Sequence, residues 1–158
     1  MKRIHHAVIA IPLLFVGACA DIADDGNAES STSQDLSAPP TPEPRAPSGS
    51  SPTISPANSA PGADFELVPP GGTYSCASGT LCTGVWDPSV GEWKVFKLFF
   101  CNTYALSHWI GPGFYLDNQT GNPTSTFLDQ SGHVLRSFRP GGGQVNVNWD
   151  PVWFIKNC

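Results

Sequence analysis

The side chains able to do acid–base or nucleophilic chemistry are few. Only two of the four histidines, His108 and His133, lie in the aromatic-rich C-terminal part of the chain. Ser107, His133 and Asp129 supply, on paper, the hydroxyl, base and orienting carboxylate of an acyl-transfer triad. A triad is defined by geometry rather than inventory, and no G-x-S-x-G sequence surrounds Ser107. His133 stands beside a turn and reads as a solvated strand residue. His108, in Leu106-Ser107-His108-Trp109, is the better site candidate. A hydrolase would depend on one of these two imidazoles. The expected reading is non-enzymatic, with no catalytic residue and no cofactor.

Metal chemistry is no better supplied. Cys76 and Cys82 have five residues between them, outside the spacing of a zinc knuckle. The run Asp117-Asn118-Gln119-Thr120-Gly121-Asn122 is rich in oxygen donors, which makes Asp117 and Asn118 calcium candidates. The same residues build a plain Asx turn, and that is the expected role. Among the aromatic residues, Trp109 precedes Gly111-Pro112-Gly113 and is expected to be exposed in a loop. With His108 it forms the candidate ligand face, since flat indole surfaces suit stacking against sugars.

These residues need a scaffold, and its extent follows from composition. All five Trp, all three Tyr and seven of nine Phe fall in residues 71–158, whereas ten prolines fall between Pro39 and Pro70. A segment without apolar surface cannot offset the entropy of ordering. The folded unit is therefore expected at 71–158, behind a Pro/Ser-rich tether at 19–70. A unit that small is marginal on burial alone and gains from covalent staples. Of the five cysteines, Cys76, Cys82, Cys101 and Cys158 lie in it, enough for two disulfides in an oxidising compartment.

The fifth, Cys19, belongs to the N-terminus. Lys2 and Arg3 precede an apolar stretch from Ala7 to Val16, the layout of an export signal over residues 1–18. Val16-Gly17-Ala18-Cys19 resembles a bacterial lipobox, in which the signal is cut before the cysteine and its sulfur is lipidated. That reading accounts for the odd cysteine and anchors the chain to a membrane through Cys19. Cleavage at Ala18-Cys19-Ala20, before Asp21, would instead release a soluble protein. The tether, as a coil of about 50 residues, would reach roughly 40 Å. The net charge is −5, and six of the thirteen acids lie in residues 21–43. The remaining charges nearly balance, which excludes nucleic acid as a partner because no basic stripe is present.

Turn signals recur every eight to fifteen residues, leaving room for short strands and for a single helical turn near 103–109. The strand runs are 80–86, 92–101, 113–117, 125–129, 133–139, 144–149 and 152–158, the pattern of an antiparallel sandwich or barrel. Val145, Val147 and Trp149 alternate onto one face, a half-buried strand. The run 92–101 is apolar at Phe96, Leu98, Phe99 and Phe100, which predicts burial on both faces. Residues 127–135 read as a β-hairpin with a Gly-containing loop. An echo links Trp86-Asp87-Pro88…Trp93…Cys101 with Trp149-Asp150-Pro151…Trp153…Cys158, suggesting a duplicated fold. It also suggests pairing Cys101 with Cys158 and Cys76 with Cys82. Four cysteines allow three connectivities, all still open at this level.

The frame Cys76…Ser78-Gly79-Thr80-Leu81-Cys82, Trp93-Lys94-Val95-Phe96 and Cys101…Tyr104-Ala105-Leu106-Ser107…Trp109, with Trp149-Asp150-Pro151-Val152-Trp153, resembles small exported actinobacterial proteins. These group with or near the streptomycete metalloproteinase-inhibitor family. The resemblance covers residues 74–158. It implies an all-β, βγ-crystallin-like Greek-key sandwich with two disulfides, and peptidase inhibition. No inhibitory loop is matched residue by residue. The crystallin calcium motif places a hydroxyl residue and Ser where this chain has Gly121-Asn122, so no calcium site is carried over. The expected function is that of an exported, membrane-tethered domain that binds a protease, with a cell-wall glycan or another surface partner as the alternative.

Overall fold

The computed structural model describes residues 34–41, 49–58 and 64–158. The export signal at 1–18, Cys19 and the alternative cleavage point at Asp21 lie outside the described residues. Among the described residues there are twelve strands: β1 Gln34–Ser37, β2 Thr53–Ser55, β3 Phe65–Val68, β4 Thr73–Cys76, β5 Thr80–Asp87, β6 Glu92–Leu98, β7 Asn102–Ser107, β8 Pro112–Asn118, β9 Ser125–Leu128, β10 Val134–Phe138, β11 Gln144–Asn148 and β12 Phe154–Asn157. No helix is found among the described residues. The helical turn expected at 103–109 is strand β7. Its period of two decides this: Tyr104 and Leu106 point into the core, while Thr103 and Ser107 are exposed.

All pairings are antiparallel. One five-stranded sheet runs β11-β8-β5-β6-β3 and the other β10-β9-β12-β7-β2, with β1-β4 as a separate ribbon. Within β5–β8, three strands share the first sheet and the third, β7, joins the second; β9–β12 mirror this, lending β11 to the first sheet. Each unit is thus a Greek key with its third strand exchanged, and the two interlock as a sandwich. The fold is all-β, as expected, and it is duplicated. The Trp-Asp-Pro echo does not mark the repeat, because β6, which follows Trp86-Asp87-Pro88, is a second strand of its unit whereas β12, which follows Trp149-Asp150-Pro151, is a fourth.

The main core lies between the sheets and contains Leu81, Val85, Phe96, Leu98 and Tyr115 from one and Tyr104, Leu106, Phe127 and Ile155 from the other. Tyr115 meets Phe127 edge-to-face across the gap at 5.2 Å. Trp149 is fully buried, with Val145 and Val147 packed beside it, as their alternation requires. Its Nε1 donates to the Gly84 carbonyl at 2.9 Å. The indole crosses directly over Gly113, where a Cβ would overlap the ring.

The folded unit begins earlier than residue 71. Strands β2 and β3 cap the β7 and β6 edges, which protects open ladders from foreign strands. Strand β1 and the residues after it cover the outer face of the first sheet, where Ala38, Tyr74, Trp93, Phe114 and Leu116 form a second core. Trp93 Nε1 donates to the Pro39 carbonyl at 2.8 Å. Covering both faces explains why β5 is buried almost throughout. Farther along, Lys94 Nζ donates to Ser51 Oγ at 2.9 Å, and Ser51 donates to the Asp87 carboxylate. Burial lowers the Lys94 pKa, opposed by the nearby Asp87 charge. Burial also works against the Asp87 carboxylate, but hydrogen bonds from Ser51 and Ser89, with Lys94, hold its pKa below the ordinary value. Composition missed these segments because their partners are backbone edges and isolated apolar residues rather than a periodic face of their own.

Candidate functional site

The disulfides are Cys76–Cys82 and Cys101–Cys158, with Cα–Cα distances of 5.9 and 5.4 Å. Both staple the same end of the sandwich, where β6 leaves one sheet and β7 enters the other. The chain makes that crossing in residues 99–101, and Cys101 is the last of them. Phe99 and Phe100 therefore stand outside the sheets, 47% and 46% exposed, their rings edge-to-face at 5.4 Å. The expectation that 92–101 is one doubly buried strand holds to Leu98 and fails at these two residues. Together they form a small exposed apolar patch at the tip.

The tip is held from beneath. The fully buried Asn157 donates through Nδ2 to the carbonyls of Leu98 at 3.1 Å and Phe100 at 3.0 Å. The Tyr104 hydroxyl donates to Phe100 O at 3.0 Å and lies 3.3 Å from Asn58 Oδ1. Burial, helped by the Asp64 charge, raises the Tyr104 pKa and keeps that donor protonated. Asn58 in turn donates to the Lys97 carbonyl. On the other flank a Cβ at Gly79 would sit 3.4 Å from the Phe99 ring, so Phe99 lies over the turn closed by Cys76–Cys82. The Asn118 amide donates to Cys76 O at 2.9 Å and Gly79 N–H donates to Asn118 O at 2.8 Å, tying that turn to β8. The result is a short aromatic loop braced by side-chain amides, a hydroxyl and two disulfides.

The calcium candidates sit at the same end and serve the scaffold. The Asn118 amide is committed to Cys76. Asp117 is buried, its Oδ1 accepts from Gln119 N–H at 3.2 Å, and its Oδ2 has no hydrogen-bond partner among the described residues. Burial raises the Asp117 pKa, with the Gln119 bond opposing. The Gln119 N–H bond to Asp117 Oδ1 closes an Asx turn, and Gln119 Oε1 accepts from the buried Ser125 hydroxyl at 2.8 Å.

The opposite end holds the other candidates. Trp109 is only 5% exposed, contrary to expectation: it stacks on Phe96 at 5.1 Å, meets Trp149 edge-to-face at 4.8 Å, and donates to Thr53 O at 3.0 Å. The chain turns at His108, whose φ is 62°, and that reversal drives Trp109 inward while leaving the imidazole exposed. The exposed indole here is Trp153, at 45%. Ser107, His108, Ile110, Asp150 and Trp153 surround a hollow of about 430 Å³ with Trp109 in its lining. Asp129 Oδ2 lies 3.2 Å from His133 Nδ1 at the tip of the β9–β10 hairpin, which forms as the sequence suggests. The His133 N–H is the main cause of a lowered Asp129 pKa. Ser107, on β7, is separated by β12 from Asp129, which follows β9, roughly 10 Å at two strand spacings, and His133 leads into β10, one strand farther still, so no triad assembles.

Sequence reasoning missed Phe99, Phe100 and Trp153. The first two continue the apolar run of β6, which does not alternate, so hydrophobicity alone does not set them apart. Compared with models of known protein families, with curated proteins and with solved structures, the chain finds no significant match.

Proposed function

We propose that this protein is an exported, non-enzymatic peptidase inhibitor that presents the 99–101 loop to a protease cleft. The observation that carries the reading is the loop itself: two exposed phenylalanines on a three-residue crossing, braced by Asn157 and flanked by both disulfides. An inhibitor gains affinity when its contact residues are already ordered, because little conformational entropy is lost on binding. Exposed aromatic side chains are also typical interface anchors. The resemblance to the metalloproteinase-inhibitor group and the two disulfides, which suit an oxidising environment, agree with this reading.

Lipidation at Cys19 would hold the inhibitor at the outer face of the membrane. Docking of β1 from Gln34 leaves only residues 20–33 between anchor and domain, a span of at most about 50 Å when fully extended. The test is a titration of the full oxidised chain against metallo- and serine proteases that accept aromatic residues, following residual activity. Stoichiometric inhibition of at least one is expected. No inhibition by an intact, folded chain across the panel would overturn the proposal.

A further inference from the structure

We infer that the hollow at the end opposite the phenylalanine loop is a binding site for an uncharged sugar ring. Trp153 offers a half-exposed indole, and Ile110 extends the apolar surface. Around them stand three polar side chains of different character: the Ser107 hydroxyl, the His108 imidazole and the Asp150 carboxylate. A pyranose has apolar C–H faces bordered by hydroxyls that both donate and accept. An aromatic platform ringed by an acceptor-only group, a hydroxyl and an imidazole matches that distribution.

The frame is ordered before any ligand arrives. Asp150 Oδ1 accepts from Gly111 N–H at 2.7 Å, which fixes the carboxylate. Trp153 is held through its backbone on both sides, donating to Leu128 O and accepting from Leu106 N–H, each at 2.9 Å. Trp109, pinned by Thr53 and packed on Phe96 and Trp149, lines the hollow rigidly. Ligand sites are typically pre-formed hollows with a few placed polar groups, and this one has that makeup.

The charge of the lining selects among ligands. Among the described residues Asp150 is the one carboxylate of the lining and no Lys or Arg accompanies it, so phosphate and carboxylate ligands are repelled. The site is separate from the phenylalanine loop, and its variants should leave that loop's activity intact.

The test uses the full chain and reads tryptophan fluorescence and calorimetric heat against N-acetylglucosamine tetramer, glucose tetramer and glucose 6-phosphate. Saturable binding of at least one neutral tetramer is expected, with Kd on the order of 1 mM or tighter. Trp153→Ala, an exposed position that the core tolerates, should weaken it at least ~10-fold, and Asp150→Asn should weaken it while keeping the Gly111 bond. Phe99→Ala with Phe100→Ala should leave it unchanged. No response to either tetramer, equal affinity in Trp153→Ala, or tighter binding of the phosphate monoester would overturn the inference.

Discussion

Replacing Asn157 with Leu isolates the brace beneath the aromatic loop. The two side chains share the same branched shape and Leu is the larger, so no cavity opens, but both Nδ2 bonds, to Leu98 O and Phe100 O, disappear. A net hydrogen bond is worth about 1 kcal/mol, so the pair sums to about 2 kcal/mol. Asn157 Oδ1 has no partner among the described residues, so its removal recovers part of that cost. The Tyr104 bond to Phe100 O also survives. The expected loss is about 1–2 kcal/mol. For a domain of this size each kcal/mol lowers Tm by roughly 4 °C, giving a fall of roughly 4–8 °C by calorimetry. Asn157→Asp should be worse than Leu, because a buried carboxylate would face two carbonyl oxygens. At temperatures where the Leu variant is still folded, inhibition should weaken about tenfold, since the loop must then be ordered on binding. A Leu variant with unchanged Tm and unchanged inhibition would refute the bracing argument.

Three further outcomes follow from buried groups and staples. Burial raises the pKa of Tyr74, aided by Glu66, and those of Tyr104 and Tyr115, so the fold requires neutral phenols. Their contribution is full below the unfolded value of about 10 and is lost as pH rises through and above it; the denaturant midpoint should hold to about pH 9.5 and then fall, and a flat midpoint to pH 11 would contradict this. Asp117→Asn should raise Tm in the presence of a chelator, because burial disfavours the charged carboxylate and an amide carries no charge to bury; a lowered Tm would contradict it. Removing Cys101–Cys158, with a sequence separation of 57, should cost about 4 kcal/mol, against about 2 kcal/mol for Cys76–Cys82 with a separation of 6, measured by denaturant unfolding of the Ser pairs.

Much of the fold was readable wherever one chemical pattern dominated a segment. Val145, Val147 and Trp149 announced their strand by strict alternation, and Gly132 with Asp129 announced the hairpin. Pairing of Cys101 with Cys158 followed from an echo whose alignment the topology does not share, so that inference reached the right bond through an inexact repeat. The segments at 34–41, 49–58 and 64–68 were illegible because edge strands need only backbone groups, which every residue carries except proline at its nitrogen. Trp109 and Trp153 exchanged roles for a local reason: a left-handed residue at His108 reverses the side on which the next side chain falls. That conformation is uncommon outside glycine, and a histidine is only a weak marker of it. Phe99 and Phe100 were hidden by their hydrophobicity, since apolar character alone does not separate a core strand from a tip that meets a partner.

The most direct measurement compares inhibition constants of the full chain and of the Phe99→Ala, Phe100→Ala double variant against whichever protease the panel identifies. Both side chains point away from the cores, so the variant should unfold within a few degrees of the parent. The expected result is a loss of inhibition of at least ~100-fold at preserved Tm, as for removal of two interface anchors. Equal inhibition by the parent and the folded variant would contradict the assignment of this loop as the binding element.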